Sequence, residues 1–163
     1  MQIRTAVQSD LPALLGIYNY EVINGTATLD LQPRSMEERQ VWFDEHNTEN
    51  HPLIVAEIDG EAIGYATLSP YRTKEAYRST VELSIYVHRD YRKRGIAGAL
   101  MEEILRLARE DERTHTVVSV ITSGNDASTA LHKKFGFEWG GRIPEVGKKM
   151  GKYLAIDNYY LIV

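Results

Sequence analysis

From Tyr86 to Ala97 the chain runs Tyr86-Val87-His88-Arg89-Asp90-Tyr91-Arg92-Lys93-Arg94-Gly95-Ile96-Ala97. An apolar strand ends there, a short basic turn follows, and a long helix opens at a glycine. The first N–H groups of a helix have no partner within it, and the helix dipole is positive at that end. Gly95 and Ala97 leave those amides uncovered, and Arg92, Lys93 and Arg94 add positive charge beside them. The chemistry this predicts is a cradle for a pyrophosphate. Read alone, so short a motif also fits a basic turn whose glycine only relieves crowding. The Lys-Ser/Thr of a P-loop and the second helix-opening glycine of a dinucleotide fold are both missing, which argues against nucleoside triphosphates and nicotinamide cofactors. With no cysteine in the chain, thiolate nucleophiles, disulfides and zinc–cysteine sites are excluded.

The elements that position this segment follow from hydrophobic spacing. Val81 to Val87 alternates as a strand, with Leu83, Ile85 and Val87 on one face and Glu82, Ser84 and Tyr86 on the other. Ile96, Leu100, Ile104 and Ala108 recur every fourth residue, so Gly95 to Glu110 reads as an amphipathic helix. Upstream, Ile3 to Val7 reads as a short strand. Ser9-Asp10 and Pro12 open a helix that stops at Asn24-Gly25. Thr26 to Leu31 reads as a brief extended piece. The capping box Ser35-Met36-Glu37-Glu38 starts a second helix running to about His46, with Trp42 and Phe43 as core contacts. Leu53–Ile58 and Glu61–Ser69 read as strands joined by a tight turn at Asp59-Gly60, and residues 70 to 79 as a loop. Downstream, Val117 to Ile121 reads as a strand buried on both faces, and Ala127 to Phe135 as a helix stopped by Gly136. Residues 137 to 142 and 158 to 163 read as final strands. The order β-α-(β)-α-β-β-β-α-β-α-β-β predicts one α/β domain over residues 1–163, a mixed, largely antiparallel sheet flanked by helices.

Composition narrows the partners. The chain has 163 residues, 43% of them hydrophobic and 26% charged, with a net charge of −4. A net acidic surface argues against general nucleic-acid binding. No apolar run reaches the roughly 20 residues of a membrane span, and the first residues lack the pattern of a signal peptide. The expectation is a cytoplasmic protein with neither nucleic acid nor membrane as partner.

The strand, the Arg92-Lys93-Arg94-Gly95-Ile96-Ala97 turn and the following helix resemble the acetyl-CoA-binding core of the GCN5-related N-acetyltransferases (GNAT). Asn125 and Leu131-His132 before Phe135-Gly136-Phe137 resemble that superfamily's later segment. Further segments are similar to its phosphinothricin acetyltransferase branch: Ile17-Tyr18-Asn19, Trp42-Phe43, Thr80-Val81-Glu82, and Val146-Gly147-Lys148-Lys149-Met150-Gly151-Lys152-Tyr153. The resemblance covers nearly the whole chain.

It implies a GNAT fold and an N-acetyltransferase that uses acetyl-CoA as cosubstrate, with no metal. The acceptor implied is the amine of an amino acid or analogue such as phosphinothricin or methionine sulfoximine. Glu82 would be the general base and His132 a proton relay. Ile85, Tyr86, Val87, Arg92, Lys93, Arg94, Gly95, Ile96, Ala97, Gly98 and Asn125 would hold the coenzyme. A backbone N–H near Tyr86 or Val87 would stabilise the oxyanion. Tyr71, Arg72, Lys149 and Tyr153 would join Glu82 around the acceptor, Arg72 as a clamp for its carboxylate, and the segment 146–153 would lie at a two-fold homodimer contact. Read by themselves, Glu82 also fits a solvent-facing carboxylate, Asn125 a helix cap, and Arg72 and Arg78 solvated charge. The chain departs from the branch at Leu83, where members often carry His, and at Ala155, where they often carry Asp. Both positions fall near the acceptor. A protein N-terminus or lysine as acceptor, and a non-catalytic acetyl-CoA sensor, are the competing readings.

Overall fold

The computed structural model describes residues 1–163. Seven strands form one sheet: β1 (Gln2–Thr5), β2 (Leu53–Ile58), β3 (Glu61–Pro70), β4 (Thr80–Val87), β5 (Thr116–Thr122), β6 (Glu138–Lys149) and β7 (Lys152–Ile162). Their order is β1-β2-β3-β4-β5-β7-β6, and only the β4–β5 pair is parallel. Four helices accompany them: α1 (Leu11–Asn24), α2 (Met36–Asp44), α3 (Ile96–Glu110) and α4 (Asp126–Lys134). This is the expected mixed, largely antiparallel sheet with flanking helices. No helix is long and apolar enough to cross a membrane.

Each face of the sheet carries its own core. On one, Leu14 and Ile17 of α1 pack with Leu53, Val55 and Tyr65, and Trp42, Phe43 and Tyr86 close the cluster. On the other, Ile96, Leu100, Met101, Ile104, Leu105 and Ala108 of α3 pack against Ile54, Ala66, Leu68, Val81 and Leu83. The alternation of β4 is therefore resolved by burial: Leu83, Ile85 and Val87 face α3, and Tyr86 faces α1 and α2. The hairpin at Asp59-Gly60 has φ of 51° and 82° at its two residues, the left-handed pair a two-residue turn needs.

Several sequence expectations shift. Residues 26 to 31 form no strand, because their polar groups are taken by side chains from elsewhere: Tyr18 bonds Thr28 and Asp30, and Lys149 Nζ donates to the Thr28 carbonyl. The helix expected to reach His46 ends at Asp44. β5 is not covered on both faces, since Val120 is 36% exposed where the sheet opens. The last two strands are far longer than read from the pattern, because two irregularities in register, at Trp139/Gly141 and Ile143/Gly147, absorb the glycines that look like breaks. Residues 146 to 153 thus belong to a continuous hairpin rather than a separate loop.

The α3 core is what holds the helix start against β4. Leu100 is fully buried in it. Leu100→Ala is expected to lower stability by about 2–5 kcal/mol, read as a drop in the urea midpoint at unchanged slope.

Candidate active site

β4 and β5 pair only over Thr80–Glu82 and Thr116–Val118, although β4 continues to Val87 and β5 to Thr122. Past Glu82 the two strands part, and the gap is a cleft through the middle of the sheet. The His88 N–H donates to Ile63 on the β3 side. Strand alternation then turns the N–H groups of Ile85 and Val87 toward the open edge. Those two amides are free to bind an extended ligand as an added strand would.

On one side the gap leads into a cavity of about 360 Å³, lined by Ile85, Tyr86, Val87, Arg92, Ala97 and Asn125 among others. Gly95 stands before α3 with φ 79°, a left-handed conformation that glycine tolerates. The first backbone bond inside α3 runs from Ala99 N to Gly95 O, so the N–H groups of Ile96, Ala97 and Gly98 precede it. These amides, the free strand edge and the cavity between them suit the diphosphate and amide-bearing arm of the expected acetyl-CoA. The Ile96 side chain is buried in the core and offers only its backbone. Arg92 is engaged by the Glu21 carboxylate, and Arg94 lies over the Tyr91 ring at 5.1 Å, leaving both guanidinium groups beside the helix start. Lys93 takes the tight bend, with φ 61°. Asn125 caps α4, its Oδ1 accepting from Ser128 N, and also lines the cavity.

His132 lies in the wall of this cavity but is fixed on both sides. Its Nδ1 meets the Ser128 carbonyl at 2.7 Å, so Nδ1 carries the proton, and its Nε2 accepts from Ser119 Oγ at 2.8 Å. Burial holds its pKa below the usual histidine value. The ring is neutral at physiological pH, and its one lone pair is taken by Ser119.

On the other side of the gap is a second cavity of about 560 Å³, sharing Ala27, Ser84, Tyr86, Val120 and Thr122 with the first. Glu82 lines it, with no side-chain partner to accept from, and burial alone pushes its carboxyl above the ordinary 4.5. A carboxylate so placed, in the wall of the second cavity and two residues from Ser84, which lines both, is uncommitted and so has the properties of a general base. Across from it on β3, Ser69 bonds Nε2 of His46 at 2.7 Å.

The remaining acceptor candidates sit elsewhere. Arg72 is exposed and stacks over Tyr71 and Tyr77, at 5.1 and 5.7 Å from the ring centres, on the loop leaving β3. Lys149 is only 4% exposed and donates to Thr28 O at 2.7 Å, so it fastens the 26–31 segment instead of reaching into the cavity. Tyr153 is 64% exposed on the β6–β7 hairpin. None of these four lines the cavity. The walls that sequence reasoning missed come from Tyr18, Asp30, Arg34, Arg39 and Tyr65. Arg39, Trp42 and His46 follow one another at i, i+3 and i+7 on or just past α2, which is the signal that could have placed a charged residue on its inner face.

With this geometry in view, comparison with known proteins is direct. Residues 18–137 match the acetyltransferase (GNAT) family. The chain is 41% identical over 155 residues to the L-methionine sulfoximine/L-methionine sulfone acetyltransferase of Pseudomonas paraeruginosa, across 94% of this chain and 90% of that one. It superposes on the crystal structure of ribosomal-protein-alanine N-acetyltransferase from Brucella melitensis with a TM-score of 0.96 and 39% identity, covering 100% of both chains. A phosphinothricin acetyltransferase of the GNAT superfamily from Sinorhizobium meliloti, solved in complex with AcCoA, gives 0.94 and 34% over 99% of this chain and 88% of that one. In sequence and in fold the chain is thus similar over nearly all its length to proteins named as acetyltransferases, and the protein belongs to the GNAT acetyltransferase family.

Proposed function

We propose that the protein transfers the acetyl group of acetyl-CoA to the α-amine of a free amino acid or analogue of the methionine sulfoximine, methionine sulfone or phosphinothricin kind. The observation that carries this reading is the uncommitted Glu82 carboxylate in the wall of a small polar cavity, which joins at Ser84 and Tyr86 the cavity suited to the coenzyme. The named relatives at 41% and 34% identity support the acceptor class.

In this reading the diphosphate lies on the amides at Ile96–Gly98, with Gly95 keeping the approach open and Arg92, Lys93 and Arg94 beside it. The arm lies along Ile85–Val87 and passes Asn125. The acceptor enters as an ammonium ion, which has no lone pair, and Glu82 removes one proton. The amine nitrogen then bonds to the thioester carbonyl carbon. Negative charge gathers on the carbonyl oxygen, where a free β4 N–H is the donor; the C–S bond then breaks, and the second proton shed by the nitrogen goes to the departing thiolate, which leaves as coenzyme A. A donor of this kind is worth about 2.7–4 kcal/mol in other acyl transfers. A proton relay by His132 would pass through Ser119, since that hydroxyl occupies Nε2. Arg72 and Tyr71, on the loop three and two residues past Ser69 and outside the cavity, reach the α-carboxylate at its Glu82 end only by turning in from their stack with Tyr77.

A second reading has its own support. The Brucella melitensis neighbour is named for a protein N-terminal alanine, so a peptide amine is the competing acceptor. Thiol release from acetyl-CoA with methionine sulfoximine and with its carboxyl-amidated form separates the two. The free acid is expected to react at least tenfold faster, and equal rates would favour the peptide.

Glu82→Gln separates an enzyme from a sensor. The variant is expected to lose about 10²–10⁴-fold in kcat with acetyl-CoA affinity by calorimetry unchanged. It also has a stability signature. A carboxyl whose folded pKa is raised binds its proton more tightly in the folded chain, so its contribution is favourable below 4.5 and is lost as pH rises through the folded value. Glu82→Gln should therefore raise Tm above pH 7 and lose that advantage in acid. A lower Tm at neutral pH would contradict the desolvated base.

The exposed apolar side chains of the β6–β7 hairpin, Ile143, Val146, Met150 and Tyr153, support the expected homodimer. Sedimentation at twice the chain mass checks it, and Val146→Glu should shift the protein toward the monomer.

A further inference from the structure

The acceptor cavity contains a cation that Asp30 feels at a distance but no carboxylate of the chain bonds. Arg39 is 6% exposed. Its Nη2 donates to Tyr65 Oη at 2.8 Å, its Nε has no partner, and Nη1 donates to no atom of the chain. The guanidinium carbon lies 3.4 Å from the centre of Trp42 and 4.3 Å from that of Tyr18. These aromatic faces stabilise the charge but accept none of the in-plane N–H groups. None of the acids around the cavity bonds it: Asp30 is held by Tyr18 and Arg34, Glu38 pairs with Arg34, and Glu82 has no side-chain partner. A buried guanidinium with idle donors is costly to maintain unless something supplies acceptors.

We propose that these acceptors are oxygen atoms at the far end of the substrate's side chain, and that Arg39 is a specificity-determining residue selecting sulfone, sulfoximine and phosphinate side chains over plain thioethers. This rests on the amino-acid acceptor reading above. The register of β3 on β4 sets the direction. Ser69 stands opposite Glu82, Thr67 opposite Ser84, and Tyr65 opposite Tyr86. From Ser69 to Thr67 is about 7 Å along the strand, the span of methionine sulfone from its amine to its sulfone oxygens, and Tyr65, whose hydroxyl holds Arg39 Nη2, stands one pair further. An α-amine at Glu82 brings its carboxylate, one carbon away, to the same end, toward the loop that carries Arg72. The side chain then extends past Thr67 toward Tyr65, where the Arg39 fork hangs over Trp42. Sulfone, sulfoximine and phosphinate groups all present oxygen acceptors there, and a thioether presents a weak sulfur.

Methionine and methionine sulfone share the amine, the carboxylate and the chain length, and differ only in two sulfur-bound oxygens. In thiol release with acetyl-CoA, the sulfone is expected to have at least tenfold higher kcat/KM, chiefly through KM, as for hydrogen bonds from a charged donor. Arg39→Met should bring the ratio to within about threefold of one. Arg39→Lys keeps the cation without the fork and should fall between. Acetyl-CoA calorimetry on both variants reports whether the chain is folded. A wild-type ratio within twofold of one overturns the proposal without needing any variant, and so does a folded variant that keeps the tenfold preference. Failure to acetylate either amino acid defeats the acceptor reading and this inference with it. Equal use of both defeats only the role of Arg39.

Discussion

Everything in this molecule that bears on chemistry depends on β4 and β5 giving up their hydrogen bonds after three residue pairs. A parallel pair in mid-sheet would ordinarily be continuous, and leaving strand amides unpaired in an interior is unfavourable. The structure tolerates the gap because each strand keeps its other neighbour: β4 stays bonded to β3 along its length, and β5 to β7. The unpaired edges are an unfilled valence of the fold, shaped for an extended amide-bearing ligand. The same parting leaves Glu82, the last paired residue, at the head of the gap and in the wall of the second cavity.

The two faces of β4 divide the work. Leu83, Ile85 and Val87 anchor the strand on α3, so the glycine-led helix start and the free strand edge are held on one core. Glu82, Ser84 and Tyr86 turn the other way, into the second cavity. Ser84 and Tyr86 line both cavities, so the two spaces join beside the parted strands.

Much of this was legible in the residues. Alternation in β4 placed Glu82 on the cleft face, and spacing in α3 located the cradle, because both rest on short-range periodicity. The acceptor walls were not legible for the opposite reason. Arg39 shares a helix face with Trp42, but the rings of Tyr18 and Tyr65 that complete its burial come from distant elements. Val120 belongs to a run that reads as fully buried, yet the parting of the strands exposes it. Lys149 looks like a mobile cation between glycines, but its ammonium is fixed on a carbonyl 121 positions earlier.

That last contact bears on how the protein is made. The Lys149 ammonium holds the segment that carries Leu29 and Asp30, so one rim of the cavity beside Glu82, held from α1 by Tyr18, is fastened also from the penultimate strand. β7 must then insert between β5 and β6 before the sheet is closed. β5 has only three pairs with β4 and takes the rest of its bonds from β7, and its Val120 and Thr122 line both cavities. Neither half of the cleft is therefore complete on the ribosome until the final hairpin has emerged and folded.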